Sequence, residues 1–266
     1  MTHPRSATLQ EPLVAVARAA GRAILELYAG EIDVAYKDDA TPLTEADLTA
    51  QRIIRRGLAD IAPAVPFLAE EASEVPYERR RSWAAHWLVD PLDGTREFVN
   101  RTGEFTVNIA LVVGTRSVFG VVHAPVPDLT YAGGPGLGAW RRLGDAPPER
   151  IAVRPPRGRE LTVLTSRSHA GPRTQAFLAD LAERYDVSVT PRGSAIKACL
   201  VADGQAHLYP RFGPTSEWDT AASQAIVEAA GGVLRAIPSD EPLRYAKPDL
   251  RNPPFYVAYG PEAPHP

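Results

Sequence analysis

The sequence contains only one cysteine, Cys199, among its 266 residues. A single cysteine excludes a disulfide within the chain, and it excludes a zinc site built from several cysteine ligands. Long apolar runs are missing as well, because no segment reaches the roughly 18 consecutive apolar residues that a membrane-spanning helix needs. The first residues, MTHPRSATLQEP, lack the apolar centre of a secretory signal peptide. We therefore expect a cytoplasmic protein.

The chain also has little excess charge of either sign, with a formal net charge of -3. Proteins that coat nucleic acid need a general surplus of lysine and arginine, so we expect no nucleic-acid partner. A small phosphorylated ligand is still compatible with this balance, because local charges rather than the total would bind it. Peripheral association with a membrane, and the choice between a monomer and a homodimer, stay open.

Helical and strand patterns follow each other in two different orders along the chain. Up to about residue 155, two helices are followed by a run of strands, whereas strands and helices alternate beyond it. We predict an α/β protein of the layered α+β sandwich type, with lobes over residues 1–155 and 156–266 that pack as one unit. The predicted helices cover 12–30, 44–63, 172–185, 193–204 and 216–232. The predicted strands cover 85–90, 105–113, 117–125, 129–134, 138–143, 161–166, 187–191, 206–211, 231–237 and 255–260.

Acidic residues occur at the ends of several predicted elements. The segment WLVDPLDGTREF, residues 87–98, ends an apolar run in Asp90 and adds Asp93 shortly afterwards. Glu70 follows another apolar run, and Asp219 opens a predicted helix. Carboxylates that lie close together are costly to ionise unless a cation lies between them. Because the set contains only oxygen donors, a hard cation such as Mg²⁺ is indicated rather than zinc.

Each acid taken alone has an ordinary structural explanation. Glu70 and Glu71 suit a solvated loop, Asp219 suits a helix cap, and DPLDGT suits a turn with an Asp-Gly signal. Their combined occurrence favours a metal site. Asp90 and Asp93 are spaced one residue too far apart for the D-x-D-x-T motif of phosphatases that form an aspartyl-phosphate. Their spacing favours ligands that bridge two metal ions. Two such metal ions could activate a water molecule without a covalent intermediate.

The segments around these acids resemble the inositol monophosphatase superfamily of magnesium-dependent, lithium-sensitive phosphatases. The resemblance lies in WLVDPLDGTREF, in the EE upstream and the EWDTAA downstream, and it extends over nearly the whole chain. Within the superfamily, DGTREFVNRTGEFTVNIALV, TSRSH, LYPRFGPTSEWDTAA and LRYAKPDLRNPPF are similar to the 3'(2'),5'-bisphosphate nucleotidase (CysQ-like) branch. The fold that the resemblance implies is the αβαβα sandwich of inositol monophosphatase and fructose-1,6-bisphosphatase.

The resemblance also implies roles for individual residues. Two or three Mg²⁺ would be bound by the carboxylates of Glu70, Asp90, Asp93 and Asp219 and by the main-chain carbonyl of Leu92. Asp47 and Thr95 would orient and deprotonate the attacking water, with Glu70 as a third catalytic residue. The residues implied to contact the substrate are Glu70, Leu92, Asp93, Gly94, Thr95, Ser166, His169, Ser194, Lys197, Arg211 and Asp219. Lys37 would lie on a segment that helps to bring in the last metal.

Two of these residues have plausible structural alternatives. His169 also suits a surface position at a strand end, and Lys197 also suits the solvated face of a helix. His86, His123 and His207 are interpreted as structural residues.

The resemblance implies a magnesium-dependent phosphatase that removes the 3'-phosphate of adenosine 3',5'-bisphosphate and yields AMP. It would also act on 3'-phosphoadenylyl sulfate, with a role in sulfate assimilation and nucleotide recycling. One alternative is a broader sugar phosphatase acting on inositol monophosphate or fructose 1,6-bisphosphate. Another is a metal-bound regulatory module without turnover, but a pure binding protein has no need of the water-activating residues Asp47 and Thr95.

Overall fold

The computed structural model describes residues 8–32, 34–36, 42–167 and 171–266. Two of the predicted site residues, Lys37 and His169, lie outside these ranges. Across the described ranges, no helix combines the length and the apolar character that crossing a membrane requires.

Two N-terminal helices form the first layer of the molecule. The elements of this region are α1 (Gln10–Tyr28), the antiparallel pair β1 (Val34–Tyr36) and β2 (Pro42–Thr44), and α2 (Glu45–Ile61). α2 begins at a capping box, in which the Thr44 hydroxyl accepts a backbone N–H and the Asp47 carboxylate accepts the Thr44 N–H at 2.7 Å. The two helices predicted at the N-terminus are confirmed.

A seven-stranded sheet forms the second layer. In chain order its region contains β3 (Phe67–Ala69), α3 (Tyr77–Arg80), β4 (Ala85–Asp93), α4 (Thr95–Val99), β5 (Thr106–Val113), β6 (Arg116–Ala124), β7 (Leu129–Gly134), β8 (Gly138–Leu143) and β9 (Glu149–Ile151). The strands lie side by side in this same order. β3 and β4 are parallel, and all other neighbours are antiparallel.

β4 is longer than the strand that the sequence predicts. The predicted strand ends at Asp90, whereas β4 continues to Asp93 with an irregularity in its pairing with β5 between these two residues. The prediction treated the first acid as the end of the strand, but Asp90 is fully buried and lies opposite Asn108 of β5. The irregularity bends the strand end, which is a common device next to functional sites.

A five-stranded sheet forms the fourth layer, beyond two helices. The elements of this region are β10 (Glu160–Ser166), α5 (Pro172–Arg184), β11 (Asp186–Arg192), α6 (Ile196–Ala202), β12 (Leu208–Arg211), α7 (Glu217–Ala229), β13 (Val233–Ala236) and β14 (Phe255–Ala258). The strand order is β11-β10-β12-β14-β13, with the first three strands parallel and the last two pairings antiparallel. The helix predicted over 193–204 begins only at Ile196, because residues 193–195 form a turn.

The helix α7 lies between the two sheets and is buried along most of its length. It packs against β4 to β8 of the large sheet and against β13 of the small one. At Gly120 of β6 the approach is so close that a Cβ atom would lie 2.1 Å from the carbonyl oxygen of Ala222. Only glycine permits this contact, so the helix backbone rests directly on the sheet.

Three hydrophobic clusters follow from this layering. One joins α1 and α2 to the large sheet, the second joins α6 and α7 to both sheets, and the third joins α5 to the outer face of the small sheet. The predicted layered α/β fold is confirmed. The predicted boundary between two lobes near residue 155 stays a prediction. The hydrophobic cluster around α6 and α7 contains residues from both sides of this boundary, from Leu68 to Val257.

Candidate active site

A cavity of about 390 Å³ lies where elements of both sheets meet the beginning of α7. It is lined by most of the predicted site residues: Glu70, Asp90, Leu92, Asp93, Gly94, Thr95, Ser166, Ser194, Lys197, Arg211 and Asp219. These residues come from segments that span much of the chain, and the fold brings them to one place.

The turn between β4 and α4 gives the cavity its floor. Asp90 Oδ1 accepts the backbone N–H of Leu92 at 3.1 Å, which fixes the irregular end of β4. Gly94 has a φ of +93°, a conformation that favours glycine, and α4 begins directly after it at Thr95. The chain therefore reverses sharply here and leaves the side chains of Asp93 and Thr95 in the cavity wall.

Two of the acids occupy the same position in their helices. Asp47 is the third residue of α2 and Asp219 is the third residue of α7, and each completes a capping box. The Ser216 N–H donates to Asp219 Oδ2 at 2.8 Å, as the Thr44 N–H does to Asp47. Asp219 is thus a helix cap, as its ordinary structural explanation predicts. It also lines the cavity. Both carboxylates are fixed at helix N-termini, where the helix dipole favours negative charge.

Thr95 connects Asp47 to the cavity. Its hydroxyl lies within hydrogen-bond distance of two acceptors, Asp47 Oδ1 and the carbonyl oxygen of Leu92, each at 3.3 Å. Asp47 is not one of the described residues that line the cavity, so its connection to the cavity is the hydrogen bond with Thr95. The pair brings a carboxylate oxygen and a hydroxyl together at the cavity wall.

The acids raise one another's pKa. Burial raises the pKa of Asp90 well above its usual value, and the charges of Glu70, Asp93 and Asp219 raise it further. Burial also raises the pKa of Asp219, again with contributions from Asp93 and Glu70. Asp47 follows the same pattern, since burial raises its pKa and Glu70 adds to the effect. These carboxylates therefore share one region of low dielectric, where they are costly to ionise together.

Several contacts stabilise the charged form of Asp93. Burial raises its pKa, but the charge of Lys197 and hydrogen bonds from the Ala195 N–H at 2.5 Å and from Asn108 Nδ2 at 3.3 Å oppose this. Asp93 thereby joins the acidic part of the cavity to the turn at residues 193–195.

The acids are close enough to repel one another but are not assembled as a coordination shell. In the described part of the chain, no three histidine, cysteine or carboxylate side chains are arranged closely enough to hold a metal ion. The donor set still fits a hard divalent cation, because every donor is an oxygen and because the mutual rise in pKa is the effect that a cation would cancel.

Two cationic side chains lie in the same cavity. Lys197 of α6 is only 4% exposed, its Nζ donates to the carbonyl oxygen of Ser194 at 2.5 Å, and it lies 5.2 Å from the ring centroid of Tyr209. Burial lowers the pKa of Lys197 to about 8, although Asp93 opposes the shift. The alternative of a solvated lysine is therefore wrong. Arg211, at the end of β12, donates to the carbonyl oxygen of Pro214 at 2.9 Å.

Several residues of the site region were not predicted. Glu97 and Tyr209 line the cavity, and Asn108 supports Asp93 from β5. An ion pair anchors the beginning of α7, where the buried carboxylate of Glu217 accepts from Lys247 Nζ at 2.7 Å. Asn108 had a visible signal, since it is the one polar amide in the apolar run TVNIALVV. The others have no comparable signal, because their partners are distant in sequence.

Comparison with known proteins shows which family the chain is similar to. A sequence model described as the inositol monophosphatase family matches residues 6–257. The chain is 44% identical over 246 residues to the 3'(2'),5'-bisphosphate nucleotidase CysQ of Escherichia coli (strain K12). The aligned region covers 91% of this chain and 96% of that protein. It is 46% identical over 223 residues to the protein of the same name from Salmonella typhimurium (strain LT2), covering 83% and 87% of the two chains.

Solved structures show the same similarity. The crystal structure of CysQ from Bacteroides thetaiotaomicron superposes with a TM-score of 0.83 at 41% identity, covering 94% of this chain and 96% of that one. An inositol monophosphatase from Thermotoga maritima superposes with a TM-score of 0.75 at 26% identity, covering 93% and 90% of the two chains.

Proposed function

The chain belongs to the inositol monophosphatase family, and we propose that it hydrolyses adenosine 3',5'-bisphosphate to AMP and phosphate. The observation that carries the proposal is that a single cavity contains both the cluster of acids and the two cations Lys197 and Arg211. The acids suit a phosphate that is to be cleaved, and the cations suit a second phosphate that is not. Relatives at 43–46% identity that are named 3'(2'),5'-bisphosphate nucleotidase support it.

We propose Mg²⁺ as the cofactor, with two or three ions as the sequence resemblance implies. The residues that would hold it are Glu70, Asp90, Asp93 and Asp219, together with the carbonyl of Leu92. When bound, the metal supplies positive charge that keeps the acids ionised and stabilises negative charge on the phosphate oxygens.

Asp47 and Thr95 would act on the attacking water. The Thr95 hydroxyl donates to Asp47 Oδ1, so its oxygen can accept a hydrogen bond from a water molecule and orient it. The proton that leaves this water can pass to Asp47, whose pKa is raised by burial. The oxygen of the water forms the new bond to phosphorus, the bond from phosphorus to the ribose 3'-oxygen breaks, and that oxygen takes up a proton from solvent water.

The remaining cavity residues would bind and orient the nucleotide. Lys197 and Arg211 would contact the 5'-phosphate, Lys197 as a point charge and Arg211 through its guanidinium fork. Ser166 and Ser194 would contact the nucleoside side, and the N–H groups of Gly94 and Thr95 would contact the phosphate that is cleaved. Activity on 3'-phosphoadenylyl sulfate, a role in sulfate assimilation, a cytoplasmic location and a monomeric or dimeric state belong to the same proposal.

The test is a comparison of kcat/KM for adenosine 3',5'-bisphosphate and for inositol 1-phosphate. The wild type should prefer the bisphosphate. Lys197→Met and Arg211→Ala should each lower kcat/KM for the bisphosphate by about ten- to a hundredfold, because a hydrogen bond to a charged group contributes about 1.5–3 kcal/mol. The monophosphate has no second phosphate, so its kcat/KM should change little.

Arg184→Ala is a matched control, since Arg184 pairs with Asp180 on the exposed face of α5. It should leave both activities unchanged. A wild type that prefers inositol 1-phosphate would replace the nucleotidase with the broader sugar phosphatase.

A further inference from the structure

The turn that carries Ser194 is fixed by two carboxylates from the first half of the chain. Glu104 Oε2 accepts the N–H of Gly193 at 2.8 Å, and Asp93 Oδ2 accepts the N–H of Ala195 at 2.5 Å. Ser194 lies between these two anchors with a φ of +41°, a conformation that is unfavourable for a residue with a side chain. Such a conformation persists only where the surroundings impose it, so the two anchors determine it.

The turn at residues 193–195 also fixes the side chain of Lys197. The Nζ of Lys197 donates to the carbonyl oxygen of Ser194, the residue between the two anchors. A change in the path of the turn would therefore move the acceptor that orients this buried ammonium group. The position of Lys197 in the cavity depends on Glu104 through two successive hydrogen bonds.

Glu104 is itself held firmly. Its carboxylate accepts from Arg167, which follows the last residue of β10, at 3.0 Å and from Arg192, the last residue of β11, at 3.2 Å. Its side chain is 18% exposed, against 43% and 45% for the two arginines. Partial burial works to raise its pKa, but the hydrogen bonds from Arg167 and from the Gly193 N–H lower the pKa below the usual value. Glu104 is therefore a charged residue that connects the first half of the chain to the second.

The packing leaves the turn no room to shift toward Glu104. A Cβ atom on Gly193 would lie 2.6 Å from the carbonyl oxygen of Glu104 and 2.8 Å from Glu97 Cγ. The backbone of the turn thus rests directly against the segment that carries Glu104. Glu104 is not among the described residues that line the active-site cavity, and it lines a neighbouring cavity that shares Ser194 with it.

We infer that Glu104 is a positioning residue for recognition of the substrate's second phosphate, acting through the 193–195 turn on Ser194 and Lys197. The inference rests on the proposed function, because it concerns the anionic group that is not cleaved. Asp93 is the acid of the cavity that holds this turn, and it does so through the N–H of Ala195 rather than the N–H of Gly193 that Glu104 accepts, so the cleavage step should depend on Glu104 less than binding does.

The test uses Glu104→Ala and Glu104→Gln with the same two substrates. Glu104→Ala should raise KM for adenosine 3',5'-bisphosphate by about tenfold, the effect of misplacing one charged contact, while kcat changes less than about threefold. Activity on inositol 1-phosphate should stay close to that of the wild type. Glu104→Gln keeps an acceptor for the Gly193 N–H and should restore most of the lost affinity.

Two further variants separate the turn from the ion pairs. Arg167→Ala and Arg192→Ala remove one ion pair each but keep the Gly193 bond, so KM should rise less than in Glu104→Ala. Glu149→Ala is the matched control, because Glu149 of β9 accepts from Arg141 of β8, outside the lining of the active-site cavity. Its KM should equal that of the wild type.

The possible failures are distinguishable. If Glu104→Ala keeps the wild-type KM, or loses both activities equally with a lower thermal midpoint, Glu104 is only a structural residue and the proposed function stands. If Arg167→Ala or Arg192→Ala raises KM as much as Glu104→Ala, the arginines rather than the turn carry the effect. If the wild type prefers inositol 1-phosphate, both the proposed function and the inference fall.

Discussion

The hydroxyl oxygen of Thr95 lies 3.3 Å from a carboxylate oxygen of Asp47, although the two residues belong to different elements, α4 and α2. We expect Asp47→Asn and Thr95→Ala to lower kcat by about a hundredfold or more, since positioned proton transfer contributes 10²–10⁴-fold, roughly. Thr95→Ser keeps the hydroxyl and should keep most of the activity. Steady-state kinetics with adenosine 3',5'-bisphosphate measures both effects.

Thr49→Ala provides a control for the loss of a threonine hydroxyl. Thr49 donates to Glu45 on the exposed face of α2, so its loss should leave kcat unchanged. Near wild-type turnover in Thr95→Ala would remove Thr95 from the proposed mechanism.

A second prediction concerns the acids that repel each other. Asp219→Asn should abolish most activity, because a proposed metal ligand is lost, and yet it should not destabilise the metal-free protein. The pKa of Asp219 is raised by burial and by Asp93 and Glu70, so its ionised form opposes folding at neutral pH, and the neutral amide relieves that cost. The amide oxygen can still accept the N–H of Ser216.

Turnover as a function of Mg²⁺ concentration and the thermal midpoint in a chelator check this prediction. Asp180→Asn, an exposed change on α5, should alter neither quantity. A large fall in the thermal midpoint of Asp219→Asn without metal would show that its role as a helix cap outweighs the repulsion.

A third prediction concerns lithium, which the family resemblance implies as an inhibitor. Li⁺ is close in size to Mg²⁺ but carries half its charge, so it can replace a weakly bound magnesium ion after cleavage and slow product release. Inhibition should therefore be uncompetitive or mixed with respect to substrate. Potassium at equal ionic strength is the control. Indifference to lithium at tens of millimolar would count against this expectation.

A fourth prediction concerns the stability of the protein at acidic pH. His123 is buried in β6, its Nδ1 lies 2.9 Å from Thr130 Oγ1, and its ring fills the space beside Gly21 of α1. Burial lowers the pKa of His123 to about 4. An unfolded histidine has a pKa of about 6.5, so the unfolded state binds more protons between these two values and stability falls as pH falls.

The effect can be separated from that of the acids, whose raised pKa values act in the opposite direction. The free energy of unfolding should be measured in urea for the wild type and for His123→Gln at about pH 7.5 and about pH 5. The free energy of unfolding of the wild type, relative to that of His123→Gln, should be about 2 kcal/mol lower at the lower pH than at the higher one. Each unit of pKa difference contributes about 1.4 kcal/mol. A constant difference between the two proteins would show that His123 is not held neutral.

Local patterns allowed most of the fold to be predicted. α2 could be located because its capping box and its apolar stripe lie within one short segment. β9 was missed because it is a strand of three residues beside DAPPER, whose prolines indicate a loop, and only pairing with β8 stabilises it. The end of β4 was misplaced because a strand rarely buries carboxylates, and only the surrounding site explains why this one does.

The site was predictable to the extent that its chemistry shows in residue types. The acids could be recognised by their positions at the ends of predicted elements, whereas the roles of Thr95 and Asp47 were predicted from the family resemblance. Glu104 could not be found in this way, because its partners Arg167, Arg192 and Gly193 lie far along the chain, and a surface ion pair has no pattern in sequence. The burial of Lys197 likewise depends on Tyr209, which comes from the next strand.

The position of β14 in the small sheet has a consequence for synthesis on the ribosome. β14 lies between β12 and β13, yet it is translated after every residue with a proposed catalytic, metal-binding or substrate-binding role. A nascent chain that has reached only Arg251 contains all the acids and both cations, but β12, which ends in Arg211, still lacks its antiparallel neighbour. We therefore expect a chain that ends at Arg251 to hold Arg211 less firmly and to lack the activity proposed above, because β12 has no antiparallel neighbour in it.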